Sequence, residues 1–134
     1  MRGTIILIIA SCILLVSISY MRTDQTAETV IDYGDSELFT LVDRIVGIKL
    51  ILEKAGSWKS IEALHNVRYS GDEASLEEKG HNGYEEIMVF YSDFKTVDWE
   101  LRQSGFSNNS EYVNWMWVIG KNTDGQWELI DFGY

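Results

Sequence analysis

With 134 residues, 46% of them apolar and 13% aromatic, the chain has material for one domain with a real core and none for a second; this composition excludes a disordered or low-complexity protein. The formal net charge is −10, and because Arg2 and Arg22 flank the N-terminal apolar run, nine basic residues face 21 acidic ones from Thr23 onward, a net of −12. That balance repels phosphate backbones and anionic lipid, so no nucleic-acid partner is expected.

The stretch MRGTIILIIASCILLVSISYMR has one Arg, then no charge from Thr4 to Ser19, then Arg22 and the acidic TDQTAETVIDYGD. A cationic start, an apolar middle and a polar exit make residues 1–22 a signal sequence or membrane anchor and place the domain on the outer face of the cytoplasmic membrane or in the medium. Three fates are open. Residues 4–20 are just under the ~20 that span a bilayer, so an uncleaved anchor needs thinning or snorkelling at its ends. Ser17 and Ser19 allow cleavage before Tyr20. The stretch IASC, Ile9 to Cys12, resembles a lipoprotein lipobox that would lipidate Cys12, although few residues precede it and the chain beyond stays apolar. Cys12 is the only cysteine, which excludes an intrachain disulfide. Residues 23–35 read as an acidic tether.

From Ser36 the spacing turns helical. Ser36 is a good N-cap and Gly56 a good stop. At 100° per residue Leu38, Phe39, Leu41, Val42, Ile45, Val46, Ile48, Leu50 and Leu52 cover an arc of roughly 200°, leaving Thr40, Asp43, Arg44, Gly47 and Lys54 to the polar side. So wide an arc predicts a helix cradled by a curved sheet. Lys49 falls inside it, either snorkelling outward near the helix end or projecting into an internal pocket.

Beyond the helix, a short amphipathic piece holds Trp58, Ile61 and Leu64, a strand runs through Val67 and Tyr69, and an acidic, Gly-rich connector follows. In EEIMVFYSDFKTVDWEL, Ile87, Val89 and Tyr91 alternate with Met88 and Phe90, so both faces are apolar, as in a central strand. The last strands, Tyr112 to Lys121 and Gln126 to Tyr134, flank an Asp124-Gly125 hairpin signal. Val113, Trp115, Trp117 and Ile119 should share one face opposite Trp127 and Leu129. Phe132 and Tyr134 should continue the alternation of Ile130, making the aromatic C-terminus part of the core.

The residues VFYSDFKT, YVNWMWVI and DGQWELIDFGY, in this order after a long helix, resemble an uncharacterised exported domain family of Gram-positive spore-forming bacteria with an NTF2-like (cystatin-like) fold. The resemblance covers residues 36–134 and weakens in the acidic connector. It implies an α+β domain whose long N-terminal helix packs in a strongly curved antiparallel sheet, an NTF2-like cone with a ligand-holding mouth. It implies no activity.

Recognisable chemistry is sparse. His65 and His81 lack metal-ligand spacing, and the pairs Asp72-Glu73, Glu77-Glu78 and Glu85-Glu86 lack that of a calcium loop, so neither metal nor cofactor is expected. Asn108 starts a glycosylation sequon by pattern only. Nucleotide and nucleophile-elbow fingerprints are missing. Some NTF2-like enzymes use a carboxylate and a tyrosine in the cone, which singles out Asp93, Tyr112 and Asp131, with Lys49, as candidate pocket residues. Their ordinary roles are a strand-end cap for Asp93 and a surface ion partner for Asp131. The reading is therefore a membrane-tethered, non-catalytic module that binds a small ligand, a peptide or an envelope component, with acid-base proton transfer in the cone as the alternative.

Overall fold

The computed structural model describes residues 28–78, 83–97, 106–107 and 109–134. The expected signal or anchor segment with Cys12, together with His81 and Asn108, lies outside them. No helix among the described residues is long and apolar enough to cross a membrane.

The fold is α+β, with strand β1 (Val30–Asp32), helix α1 (Leu41–Gly56), β2 (Ile61–Tyr69), helix α2 (Asp72–Glu77), β3 (Ile87–Thr96), β4 (Glu111–Lys121) and β5 (Trp127–Gly133). The strands form one sheet in the order β1-β2-β3-β4-β5. Strands β2 to β5 make an antiparallel meander, and β1 pairs parallel to β2, with Val30 opposite Asn66 and Asp32 opposite Arg68. Two expectations are corrected here. The sheet is mixed and neither closed nor strongly curled, so it forms no deep cone. The stretch read as a tether also supplies β1, with α1 as the crossover that a parallel pair requires.

Helix α1 starts later than Ser36. Thr40 and Asp43 form a reciprocal capping box: the Thr40 hydroxyl accepts the Asp43 N–H at 3.1 Å, and the Asp43 carboxylate accepts the Thr40 N–H at 3.0 Å. Ser36 instead accepts from Leu38 and Phe39 in a turn before the helix and donates to Asp72. A two-way cap outcompetes a one-sided one as the place where the helix begins.

The buried face of α1 also differs from the expected arc. Arg44, Gly47, Ile48, Ile51 and Ala55 are buried, while Leu41, Val42 and Leu52 are exposed. The buried positions span only about 100°, the stripe a helix needs on an open sheet rather than in a cone. Arg44 is drawn in because its guanidinium donates to the Tyr33 carbonyl at 2.7 Å and to those of Gly34 and Thr40, tying the segment after β1 to the helix. Gly47 is buried because the backbone lies on Phe90: a Cβ there would sit 2.8 Å from two ring carbons.

Gly47→Ala should therefore destabilise by about 1–2 kcal/mol, because overpacking a fully buried ring outweighs the gain in helix propensity. Gly56→Ala, which meets nothing within 4 Å, should be neutral or stabilising. Urea unfolding of both variants checks the difference in sign.

Between α1 and the sheet lies the main core, in which Ile48, Ile51 and Ala55 meet Val67, Tyr69, Met88, Phe90, Trp117 and Ile119. On the other face Ile87, Val89 and Val118 are covered by Ala74 of α2 and by Tyr84, Tyr91, Met116 and Ile130. The acidic connector thus supplies α2, whose Ala74 packs on the second face. Strand β3 is central and apolar on both faces, as its alternation predicted.

Two bulges change the phase of the C-terminal strands. In β4 the register steps from Trp115 opposite Ser92 to Tyr112 opposite Phe94, so Val113 and Asn114 together oppose Asp93. In β5 it steps from Ile119–Leu129 to Val118–Asp131, leaving Ile130 as the extra residue. Each inserted residue turns the following side chains to the opposite face. Tyr112 therefore joins Trp115 on the α1 side while Val113 points outward, and Phe132 lies on the α1 side, opposite Ile130. The expectation that Val113 shares a face with Trp115, and Phe132 with Ile130, fails for this reason.

Candidate functional site

The four residues expected to line one pocket are spread over the molecule. Lys49 is exposed on α1 and Asp131 is exposed on β5. Asp93 points away from α1, alongside Asn66 and Arg68, whereas Tyr112 packs among rings on the α1 side, so the sheet separates them.

Asp93 is fully engaged in structure. Its carboxylate accepts the Asn66 amide and the Asn114 backbone N–H, each at 2.9 Å, and lies 3.4 Å from Arg68 Nη1. Arg68 also donates to Asn66 Oδ1 at 2.6 Å and to Asn114 Oδ1. Asn114 has φ 56°, a left-handed conformation that Asn tolerates and that the bulge demands. Asp93 is thus the clamp of the β4 bulge. Burial works to raise its pKa, but the bonds from Asn66 and Asn114 and the Arg68 charge outweigh it, and the net shift is downward. That is the opposite of the shift a general base needs.

A second carboxylate ties three segments together. Asp72 accepts from the Ser36 hydroxyl at 2.5 Å, the Glu37 N–H at 2.9 Å and the Tyr69 hydroxyl at 2.7 Å. Tyr69 also lies 3.2 Å from the Ser75 hydroxyl, which accepts the Val89 N–H at 3.1 Å. For Asp72, and for Asp43, which accepts the Trp127 indole N–H at 3.0 Å, desolvation raises the pKa and hydrogen bonds lower it further than that. All three aspartates therefore titrate below the free carboxyl. Their stabilisation is present above the unfolded value of about 3.9 and is lost as pH falls through the lower folded values. Thermal melts should be level from neutrality to about pH 5 and fall steeply below about pH 4. Asp93→Asn should melt lower at neutral pH and show a shallower acid decline.

The most distinctive surface is aromatic. On the α1 side, at the end of the sheet where β3 finishes and β4 begins, eight rings touch in one continuous cluster: Trp58, Phe94, Phe106, Tyr112, Trp115, Trp117, Phe132 and Tyr134. Trp58 stacks on Trp117 at 5.3 Å and Tyr112 on Phe94 at 5.0 Å. The inner rings, Trp117 and Phe94, are fully buried, whereas Phe132 is 41% and Tyr134 79% exposed. Lys54 lies 5.6 Å over the Phe132 ring. The Trp115 indole N–H is buried and has no acceptor among the described residues. The expected all-core terminus is therefore half right: Trp117 is core, Phe132 is a boundary ring and Tyr134 is surface.

No family model matches the chain, and no curated protein or solved structure matches it.

Two hollows flank the Glu85-Glu86 segment. One, of about 630 Å³, is a basin reaching Tyr84, Lys121 and Asn122. There Lys121 pairs with Glu86 at 3.3 Å and Tyr84 donates to Glu128. The other, of about 130 Å³, is an apolar cleft with Leu38, Phe39, Leu76 and Ile87 in its walls. Among the described residues no three His, Cys, Asp or Glu side chains are placed to hold a metal, and His65 pairs with Glu111 at 3.1 Å. Reading the sequence missed both Asp72 and the cleft. Ser36 and Asp72 are 36 residues apart, and no local spacing links a connector acid to the turn before a helix.

Proposed function

We propose that this chain is an exported, membrane-tethered, non-catalytic binding module of the NTF2-like or cystatin-like type. Its ligand is an envelope polysaccharide laid across the rings of Tyr112, Trp115, Phe132 and Tyr134. The observation that carries this reading is the half-exposed aromatic cluster: large rings left partly in water, continuous with the core, form a rigid platform for the apolar face of a sugar. A net charge of −12 from Thr23 onward disfavours polyanions and suits a neutral glycan. One long helix followed by a four-stranded antiparallel meander supports the fold relation. The open sheet makes the binding site a surface instead of a cone mouth, and the layout of residues 1–22 supports export. Against catalysis stands the clamped, acid-shifted Asp93 on the far face from Tyr112.

Titration of the full chain with a soluble β-1,4-linked N-acetylglucosamine hexamer, followed by tryptophan emission, tests the reading. Binding should shift the emission, and Tyr134→Ala should weaken it about tenfold, roughly 1.4 kcal/mol, with an unchanged melting temperature. Unperturbed emission at saturating sugar, or full affinity in Tyr134→Ala, would remove the aromatic face as the site. Cell fractionation tests the tether, and a soluble cytoplasmic pool of full-length chain would contradict it.

A further inference from the structure

The cleft beside α2 is independent of the aromatic face and has a chemistry of its own. Phe39 and Ile87, 8% and 2% exposed, form its floor, while Leu38 and Leu76 stand at its lip with 46% and 53% of their surfaces in solvent. Two lip leucines left wet over a hollow of about 130 Å³ leave room for roughly one more apolar side chain. The walls are held in place by the Ser36–Asp72–Tyr69–Ser75 hydrogen bonds, so the hollow is preformed rather than a gap between loose loops.

Among the described residues the charged groups on and beside the cleft are mainly acidic. Glu85 and Glu86 line it, Leu76 shares its helix with Glu73 and Glu77, and Glu37 precedes Leu38. Among the described residues no Lys or Arg lines it. Of these acids Glu86 pairs with Lys121, whereas Glu37, Glu73, Glu77 and Glu85 have no ion-pair partner among the described residues. A hollow sized for one apolar group, beside Glu85 and neighbouring carboxylates that have no ion-pair partner among the described residues, is complementary to an apolar side chain flanked by cations. The like charge that every copy carries there opposes self-association through this face.

From this we infer that the cleft is a docking site for a cationic partner segment, which inserts one Leu-sized side chain between Leu38 and Leu76 and sets Lys or Arg residues against Glu85 and its acidic neighbours. The apolar anchor supplies specificity and the carboxylates accelerate encounter, an effect that falls as ionic strength rises.

The test uses two labelled peptides of equal charge, one alternating Lys with Leu and one alternating Lys with Ser. Their anisotropy is followed with the full chain at physiological salt. The Leu peptide should bind at least about tenfold tighter than the Ser peptide, and Leu76→Ser should erase most of that preference. Leu76 is more than half exposed, so the variant should fold as the parent does; circular dichroism verifies this, and Leu38→Ser serves as the second variant. Equal binding of the two peptides, or an undiminished preference in both folded variants, would reduce the effect to diffuse charge attraction and overturn the proposal. A concentration-dependent dimer that Leu76→Ser dissolves would assign the cleft to a second copy and overturn it equally.

Discussion

Trp117→Ala should be among the most damaging single substitutions in this domain, costing about 3–5 kcal/mol for the lost ring and the cavity it leaves. Trp117 is the largest of the fully buried side chains and reaches from the main core into the aromatic cluster, against Trp58 and Phe132. Its indole N–H donates to Ser92 Oγ at 2.7 Å, and Ser92 is itself 0% exposed. Truncation therefore leaves a buried hydroxyl without its partner, worth roughly another 1–3 kcal/mol. Against a total of about 5–15 kcal/mol for a domain, the variant should be largely unfolded or close to it at 37 °C. Trp117→Phe narrows the comparison, because it keeps a smaller aromatic ring in the core while losing the hydrogen bond to Ser92. Urea unfolding of the full chain measures both; a loss under about 1 kcal/mol in Trp117→Ala would mean that the cluster repacks freely.

The parts of this fold that were legible in the sequence are those written in local period. The alternation of Ile87 to Tyr91 marked β3 as central, Asp124-Gly125 marked the final hairpin, and the run up to Gly56 marked the helix, because pattern and burial agree there. The errors have one physical origin: a long-range partner overrode a local signal. Ser36 looked like a cap, yet its hydroxyl is engaged by Asp72 from a segment far along the chain. Arg44 looked like a surface residue, yet the carbonyls of Tyr33 and Gly34 draw it inward. The bulges at Asn114 and Ile130 shift the alternation by one, and nothing in a period-2 reading reports a bulge. At the candidate site, the resemblance to NTF2-like enzymes grouped Asp93 with Tyr112, and the sheet, which sets Asp93 on the face away from Tyr112, keeps them apart. Asp93 does shape the aromatic surface, but by clamping the bulge that turns Tyr112 toward Trp115. The aromatic weight of the C-terminus was visible from the start; its division into core and surface required the register.

Ending the chain at Ile130 tests that division. The missing residues take with them the pairings of Asp131, Phe132 and Gly133 with Val118, Trp117 and Met116, and the ring contacts of Phe132 with Trp58, Trp115 and Trp117. Phe132 is only a little more than half buried, so its apolar contribution is about 1 kcal/mol rather than the 1.5–3 of full burial. The backbone pairs add about 1 kcal/mol each where hydrogen-bonded. Removing them also bares half of the β4 edge beside Trp115 and Trp117, a flat aromatic edge of the kind that recruits other chains. The expected result is a loss of about 2–4 kcal/mol with a tendency to aggregate, while Tyr134→Ala, which removes a ring 79% in solvent, leaves the melting temperature in place. Thermal melts of the parent, the truncated chain and Tyr134→Ala decide it. If the truncated chain melted with the parent, β5 would end functionally at Ile130 and the whole DFGY segment would belong to the binding surface. If Tyr134→Ala melted as low as the truncated chain, the exposed ring would instead be holding the strand, and its proposed role on the ligand face would have to be given up.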